Sequence, residues 1–352
     1  MHSSPNGYWR LERSDLCMPV RIDPEGRKGP TKRGARSTRW RRTSRGQYVP
    51  STVSDEDVEQ RIVEAAAVVP EGGAVTGWAA LRWQGGVWFD GLTRGGRARL
   101  PVTVVAPSKQ IRAQAGIEVS EEFIRPGEII RVDGLPITVP ARSVCYLMRY
   151  ASSLRDAVVA LDMAAYDDLV SITEAASYAT TLKIWTGIPQ CREAIGLAHE
   201  NSWSPQEVGA GFVWVVVAGL PPPLRNRPVF DLHGRHIGTP DLLDEEAGLV
   251  GEYDGRLHLA GQQRRRDRDR EARYREVGLE VVVLLDTDAA SPDRTAALIL
   301  EARSRARFEP ASERRWTTEP PPWWIPTFTV EQRRALDPDL RNRWLGYRRQ
   351  AG

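Results

Sequence analysis

Residues 204–307 constrain the fold most, because their patterns follow an order that leaves few architectures open. Ser204, Pro205 and Glu207 form a helix-start signature: a capping serine, proline at the first helical position and an acid three residues after the cap. The next patterns are strand-type at residues 228–232, 239–244 and 249–254, helical at 262–277, strand-type at 279–285 and helical at 295–307. The segment therefore predicts one module: helix, three-stranded antiparallel meander, helix, strand, helix.

Two acids of this module are predicted to face each other across adjacent strands. If the second turn is centred between Glu246 and Ala247, Asp241 lies opposite Glu252, with Cβ atoms about 4.5 to 5.5 Å apart, where like charges destabilise the pair. Asp254 follows on the same face of its strand. A bound cation compensates such charges, so we predict Asp241, Glu252 and Asp254 as ligands of Mg²⁺ or Mn²⁺. The alternative is a solvated hairpin edge, the usual place for acids.

Three histidines lie in the predicted meander or just after it. His258 follows the third strand and is a candidate for accepting or relaying a proton in metal-assisted phosphodiester hydrolysis. The alternative for His258 is an ordinary turn residue. His233 and His236 are predicted turn residues, and Asp231 is a reserve metal ligand.

These residues make the module resemble the PD-(D/E)XK nuclease superfamily, and within it small bacterial domains similar to very-short-patch-repair endonucleases. The resemblance covers about residues 201–290 and rests on Glu207, Thr-Pro-Asp at 239–241, Glu-x-Asp-Gly at 252–255 and the acids of a helix ending at Gly278. It implies an α/β restriction-endonuclease-like domain with a central mixed sheet, acting as a metal-dependent DNA endonuclease. The catalytic residues that it implies are Asp241, Glu252, Asp254, His258 and Glu207.

Two departures from the family pattern support a second hypothesis. No lysine lies near the site, and Asp254 stands in the place of the usual lysine, as it commonly does in the resembled subfamily. The helix after Glu207 continues Val-Gly-Ala-Gly, where related chains are expected to carry arginines. The alternative to an endonuclease is therefore a DNA-binding, antitoxin-type transcriptional regulator whose nuclease-like domain is inactive.

Charge separates the chain into a basic head and an acidic body. The net charge is only +3, but residues 1–50 hold twelve basic and four acidic residues, and residues 51–352 hold 37 basic and 42 acidic ones. This head predicts a polyanionic partner, DNA, whose binding weakens with salt; the alternative is a basic tail that binds any polyanion. The predicted DNA contacts are Arg33, Arg36, Arg39, Arg41 and Arg42 in the head and Arg264, Arg265 and Arg268 on the charged helix, where a solvated helix face is the alternative.

The first half of the chain is predicted to be α+β. Residues 40–50, with basic side chains, Gly46 and Tyr48, resemble the wing of winged-helix domains in AbiEi-type antitoxins, over about residues 25–140. This resemblance implies a winged-helix start and a toxin-type or defence-system partner. The predicted elements are a hairpin at 38–50, helices at 54–69, 76–82, 141–150, 154–166 and, more weakly, 171–200, and strands at 100–105, 128–132 and 137–139.

The sequence therefore predicts four regions and excludes several classes of protein. The regions are a basic mobile arm (1–35), an AbiEi-antitoxin-like region (36–200), a nuclease-like domain (201–308) and a Pro/Trp/Arg-rich tail (309–352). The longest apolar stretch, residues 211–220, is half of what a membrane-spanning helix requires, and the polar start resembles no signal peptide, so we expect a cytoplasmic protein that does not contact membranes. Three scattered cysteines give neither a disulfide framework nor a zinc site.

Overall fold

The computed structural model describes residues 2–106, 111–254, 262–285 and 291–346; for residues 2 and 262–267 it describes the backbone alone. The chain is a mixed α and β structure with two compact units. The first unit comprises Met1–Tyr150 and Glu174–Ile188, and the second comprises Ala151–Thr173 and Pro189–Gly352. The chain thus passes between units three times, after residues 150, 173 and 188.

The secondary structure is as follows, numbered along the described chain. The strands are β1 (His2–Ser3), β2 (Arg10–Leu11), β3 (Trp40–Ser44), β4 (Gln47–Pro50), β5 (Ala74–Val75), β6 (Val102–Val105), β7 (Ile117–Ser120), β8 (Ile129–Val132), β9 (Leu135–Thr138), β10 (Leu224–Arg225), β11 (Val229–Asp231), β12 (His236–Gly238), β13 (Leu242–Asp244), β14 (Leu249–Asp254), β15 (Glu280–Leu285) and β16 (Trp316–Thr317). The helices are α1 (Val58–Ala66), α2 (Gly77–Trp83), α3 (Pro140–Tyr150), α4 (Leu154–Tyr166), α5 (Ile172–Thr180), α6 (Ile188–Leu197), α7 (Pro205–Phe212), α8 (Gln262–Glu276), α9 (Pro292–Arg305), α10 (Val330–Arg334) and α11 (Pro338–Leu345).

The first unit is built on a five-stranded mixed sheet with the order β7-β6-β5-β9-β8. The hairpin of β3 and β4 is separate, and Gly46 takes a positive φ of 74° at its turn, as predicted. Helix α1 begins later than predicted, because Asp57, and not Ser54, accepts hydrogen bonds from the first free backbone N–H groups. The weak helical pattern at 171–200 forms two helices, α5 and α6.

The head is packed onto the first unit, which differs from the mobile arm that its composition suggested. Trp9, Leu11, Leu16 and Met18 are buried, each at most 6% exposed. Strand β2 pairs with β1, and Val20 forms a bridge to Tyr48 of the hairpin. Burial of these apolar side chains offsets the entropy lost on ordering the polar segment around them.

The second unit contains a four-stranded mixed sheet with the order β10-β13-β14-β15. Strand β13 is antiparallel to both of its neighbours, and β14 is parallel to β15. The predicted three-stranded meander was wrong in its first strand: β11 pairs with β12 and β16 in another sheet, and the short β10 takes its place. Pro240 lies between β12 and β13 and has no N–H to donate, so the ladder breaks there and the chain changes sheet.

Alternating side chains of the four-stranded sheet fill two cores. Leu242 and Leu249 pack with Trp214 and Ile299 on one face, and Leu243 and Val250 pack with Tyr274 of α8 on the other. This period of two decides which face each strand acid occupies. The tail also belongs to the unit: the side chain of Arg333 is fully buried and donates hydrogen bonds to Asp168 and to the carbonyl of Ala165.

Candidate active site

Asp241 and Glu252 meet in the register that the sequence predicted. Leu242 pairs with Gly251, Leu243 with Val250 and Asp244 with Leu249. The same register, extended by one residue, sets Asp241 opposite Glu252. The backbone N–H of Tyr253 donates to Oδ2 of Asp241 at 2.7 Å and fixes the carboxylate beside the strand.

The two carboxylates lie in a desolvated setting with Glu207 of α7. Glu252 is 7% exposed and Glu207 9% exposed. Burial raises the pKa of Asp241 well above its ordinary value, and the negative charges of Glu207 and Glu252 raise it further. Two of the five predicted catalytic residues, Asp241 and Glu252, are thus opposed across adjacent segments of the sheet, and the charge of a third, Glu207, also acts on Asp241.

Glu207 is oriented by three hydrogen bonds. Its Oε2 accepts from the backbone N–H of Trp203 and from Nδ2 of Asn226, both at 2.8 Å, and its Oε1 accepts from Oγ of Ser204 at 3.0 Å. Ser204 caps α7 as predicted, since its Oγ accepts from the N–H of Glu207. Burial nevertheless raises the pKa of Glu207, so the hydrogen bonds offset only part of the desolvation cost.

Asn226 is a residue of the site that the sequence did not indicate. It holds a positive φ of 45° and is 2% exposed. Its side-chain amide donates to Glu207, and its backbone N–H donates to the carbonyl of Asp241 at 3.1 Å. Within the described chain, its buried Oδ1 has no hydrogen-bond partner. Asn226 thus bonds to two of the predicted catalytic residues. The only feature of the local sequence that could have indicated this position is that asparagine tolerates a positive φ better than most residues.

Helix α8 brings a cation and a phenol to the same carboxylates. Nη2 of Arg270 donates to Oε2 of Glu252 at 3.2 Å. Tyr274 is fully buried one turn later, and burial followed by the charge of Glu252 raises the pKa of its hydroxyl. A Cβ on Gly238 would lie 2.4 Å from the Tyr274 hydroxyl, so glycine at this position is what lets the phenol reach the sheet. Arg270 and Tyr274, four residues apart, thus lie on the same face of α8.

Asp254 and His258 are the other two predicted catalytic residues. Asp254 is exposed at the end of β14, on the face of Glu252 by strand alternation. His258 lies outside the described residues, as do the side chains of Arg264 and Arg265. Among the side chains that the structure describes, no three His, Cys, Asp or Glu residues form a group that could hold a metal ion. A ligand role for Asp254 stays a prediction.

Two glycines of α7 provide space for the packing of arginine side chains, a role that the resemblance to nucleases did not suggest. Where arginines were expected on this helix, Gly209 and Gly211 make room for arginines from elsewhere: added Cβ atoms would lie 1.9 Å from the guanidinium of Arg155 and 2.1 Å from that of Arg225. Arg225 is 4% exposed and donates to the carbonyl of Glu207 at 3.1 Å. Its buried charge lies between Glu207 and Asp162, and desolvation raises the pKa of Asp162 to about 7.

The predicted DNA-contacting arginines differ in their surroundings. Arg33, Arg36, Arg39 and Arg42 are exposed in the first unit, and Arg268 is exposed on α8. Arg41 is instead paired with Glu64, with two hydrogen bonds of 2.5 and 2.9 Å, and it also donates to the carbonyl of Val53. Its positive charge is therefore neutralised within the first unit, and the other arginines are better placed to contact phosphate.

Comparisons with known proteins found no match for the chain: no family model, no curated protein and no solved structure. In the described part of the chain, none of the helices has the length and apolar character needed to cross a membrane. The functional argument therefore rests on the carboxylates Glu207, Asp241 and Glu252, on the side chains around them and on the exposed arginines.

Proposed function

We propose that the chain is a metal-dependent DNA endonuclease whose reaction centre is formed by Asp241 and Glu252. One observation carries the proposal: the β13–β14 register, extended by one residue, sets the carboxylate of Asp241 opposite that of Glu252, and the charges of Glu207 and Glu252 both raise the pKa of Asp241 after burial. A fold gains nothing from gathering desolvated like charges unless a cation or a proton is bound there. Their place in the order of elements supports phosphodiester chemistry.

The order of elements agrees with the resemblance to PD-(D/E)XK nucleases. Helix α7 precedes β10, β13 and β14, the antiparallel strands of the four-stranded sheet, and α8 lies in the chain between β14 and the parallel strand β15; β11 and β12, between β10 and β13, belong to another sheet. Asp241 directly precedes β13, and Glu252 lies on β14. This arrangement supports a restriction-endonuclease-like domain. In the first unit, residues 2–39 form no helix longer than the single turn Gly34–Arg36 before the β3–β4 hairpin, so only the hairpin supports a winged-helix start.

The carboxylates fit the donor set of a hard divalent cation. Asp241 and Glu252 would hold Mg²⁺ or Mn²⁺ through oxygen, with Asp254 as the proposed third ligand. When bound, such an ion polarises a phosphoryl oxygen and lowers the pKa of a coordinated water. A divalent cation would also relieve the repulsion that raises the pKa of Asp241.

The protein's own residues have distinct proposed roles in the reaction. The N–H of Tyr253 orients Asp241, and Asn226 and Ser204 orient Glu207 beside it. Arg270 lies against Glu252, where its cation can also stabilise the developing negative charge of a phosphate. His258 is the proposed proton-transfer group. The exposed head arginines supply sequence-independent attraction to the DNA backbone.

The test is a cleavage assay with plasmid and oligonucleotide DNA in Mg²⁺ or Mn²⁺, using the wild type, Asp241→Asn and Glu252→Gln. We expect cutting by the wild type and a loss of at least a hundredfold in each variant, because metal-derived charge stabilisation contributes several kcal/mol. Thr318→Ala is the control, since it removes a hydrogen bond to Glu245 in the same unit and not a bond to Asp241 or Glu252. Cutting that persists in both carboxylate variants would show that the site is misassigned.

A specific observation favours a second candidate function, a DNA-binding regulator of antitoxin type with an inactive nuclease-like domain. The guanidinium of Arg270 already contacts Glu252, and no lysine accompanies the carboxylates. An arginine in this position neutralises part of the charge that would otherwise favour a metal. A toxin-type or defence-system protein is the proposed partner in this case.

The same preparation distinguishes the two functions. The regulator predicts DNA binding that weakens steeply with salt, with no cutting and no effect of Mg²⁺ on thermal unfolding. Arg270→Gln separates the functions further, because it removes the guanidinium that contacts Glu252 without removing a proposed ligand. Metal binding that appears only in this variant would favour the inactive domain.

A further inference from the structure

Five aromatic rings of the second unit cluster outside the carboxylate site. Trp323 and Trp324 of the tail pack with Phe230 of β11, with His236 of β12 and with Trp344 of α11. Ring centroids are 5.2 Å apart for Phe230 and Trp324, 5.3 Å for His236 and Trp324, 5.7 Å for Trp323 and Trp324, and 5.2 Å for Trp324 and Trp344. We call these five residues the aromatic platform.

The aromatic platform has a buried side and a solvent-exposed side. Phe230 is fully buried, whereas Trp323 is 57% exposed and His236 is also exposed. The imidazole of His236 is held by a hydrogen bond of 3.0 Å between its Nε2 and Oγ1 of Thr239. Packing in a hydrophobic core explains the positions of Phe230 and Trp324. It does not explain why the exposed rings of Trp323 and His236 are held against them.

Cations flank the exposed rings. The side chain of Arg235 is 85% exposed, although it also pairs with Asp231. Arg273 is exposed on α8, near enough to His236 for its charge to act on the imidazole. Exposed aromatic rings beside arginines favour a ligand that combines a flat π-system with negative charge.

The aromatic platform is continuous with the carboxylate site along the chain. His236 begins β12, and Gly238, at its end, lies against the Tyr274 hydroxyl, whose pKa the charge of Glu252 helps to raise. Asp241 follows three residues after Gly238. The backbone of residues 236–241 therefore connects the platform to the proposed reaction centre.

We propose that the aromatic platform binds unpaired bases of single-stranded DNA by stacking, with Trp323 as the principal contact. Every base has a π-face, so the binding is tolerant of sequence, and the neighbouring arginines attract the backbone. The proposal rests on the proposed function and narrows its substrate class to DNA with an unpaired segment beside the cut.

The experiment measures binding in EDTA, so that cutting plays no part. Fluorescence anisotropy of a labelled 15-nucleotide oligo(dT) and of a 15-base-pair duplex is recorded for the full chain, Trp323→Ala, Trp323→Phe and Arg273→Gln. We expect Trp323→Ala to weaken oligo(dT) binding roughly tenfold and duplex binding little, and Trp323→Phe to retain most of the affinity. Phe123→Ala is the matched control, since Phe123 is an aromatic residue of the first unit that is 68% exposed.

The outcomes separate this proposal from the proposed function. If the wild type does not bind oligo(dT), or if Trp323→Ala and Phe123→Ala bind it equally well, the platform has no role in stacking, whatever the cleavage assay gives. An equal loss for oligo(dT) and duplex would overturn single-strand selectivity. Oligo(dT) binding that depends on Trp323 in a protein that never cuts would leave the platform standing and refute only the nuclease.

Discussion

Buried acids occur in both units, but their partners differ. In the first unit, Glu128 accepts hydrogen bonds of 2.8 Å from Arg142 and from the hydroxyl of Tyr178. Glu122 accepts from Arg149 at 2.6 and 2.8 Å. The guanidiniums of both arginines also lie over the ring of Trp185, 5.6 and 5.1 Å from its centroid. Each acid of this cluster is thus matched by a cation.

In the second unit, Asp241 instead has Glu207 and Glu252 as charged neighbours, and both raise its pKa. Arg270 bonds to Glu252, and Arg225 donates to the backbone carbonyl of Glu207; the charges of these arginines favour ionised carboxylates, but burial outweighs them at Glu207 and Asp241. The comparison teaches that burial alone does not identify a functional acid. Matched charges stabilise a fold, whereas gathered like charges require a ligand, so the second set is the candidate site.

The largest stability contrast should come from neutralising one acid in each set. Glu128→Gln removes the carboxylate 2.8 Å from the buried Arg142 and leaves it only the longer ion pair of 3.6 Å with Glu122, so we expect the free energy of unfolding to fall by about 3 kcal/mol. Asp241→Asn keeps an acceptor for the N–H of Tyr253 and removes like-charge repulsion, so at pH 8 the stability should stay equal or rise. Urea unfolding of both variants measures the difference; equal losses would contradict the distinction between the two sets.

Asn226 tests whether the second set is positioned for chemistry. Asn226→Asp replaces an N–H donor to Glu207 with a negative charge, which should raise the pKa of Glu207 further and move the pH profile of cleavage upward. We expect a loss in rate of about ten- to a hundredfold near neutral pH, the range for a hydrogen bond to a charged group. Asn226→Gly keeps the positive φ but lacks the side chain.

The two Asn226 variants distinguish a role of the backbone conformation at this position from a role of the side-chain amide. If glycine restores the wild-type rate and pH profile, Asn226 serves only the backbone, and its proposed role in positioning Glu207 is wrong. Thermal unfolding of both variants excludes a loss of fold as the cause.

A smaller effect concerns pH and metal. Because the folded pKa of Asp241 lies above its unfolded value, the stability linked to this group is complete below the unfolded pKa and is lost as the pH rises through the folded one. A divalent ion competes with that proton and binds better at high pH. We expect Mn²⁺ to raise the Tm by about 3 °C at pH 8, the size of shift produced by roughly 1 kcal/mol in a domain of this size, and to change it little at pH 6.

The control for this measurement is Asp241→Asn, in which the Mn²⁺ effect should vanish at both pH values. Asp162 adds a background of the same sign, since burial raises its pKa to about 7. Asp162→Asn should therefore reduce the loss of stability with rising pH but leave the Mn²⁺ effect in place. A Mn²⁺ effect equal at pH 6 and pH 8 would argue against displacement of a proton from Asp241.

Local patterns predicted the elements and the register well. Caps, turn glycine and apolar periodicity located the β3–β4 hairpin and α7, and symmetry about the turn after Asp244 placed Asp241 opposite Glu252. These features depend on residues near each other in the chain. The same patterns misassigned β11 to the main sheet, because pairing with β16 near residue 316 is a long-range choice that no local signal encodes.

The sequence by itself determined which acids share a strand face, since side-chain alternation and a tight turn fix the register without distant contacts. Only the tertiary structure decided which charges accompany them. It brought Asn226 to Glu207, Arg270 to Glu252 and Arg225 into the space left by Gly211, and it paired Arg41 of the basic head with Glu64. Desolvation and charge pairing arise only when distant segments pack together. The pKa values and ionic partners of the site's carboxylates were therefore set by the fold and not by the motif.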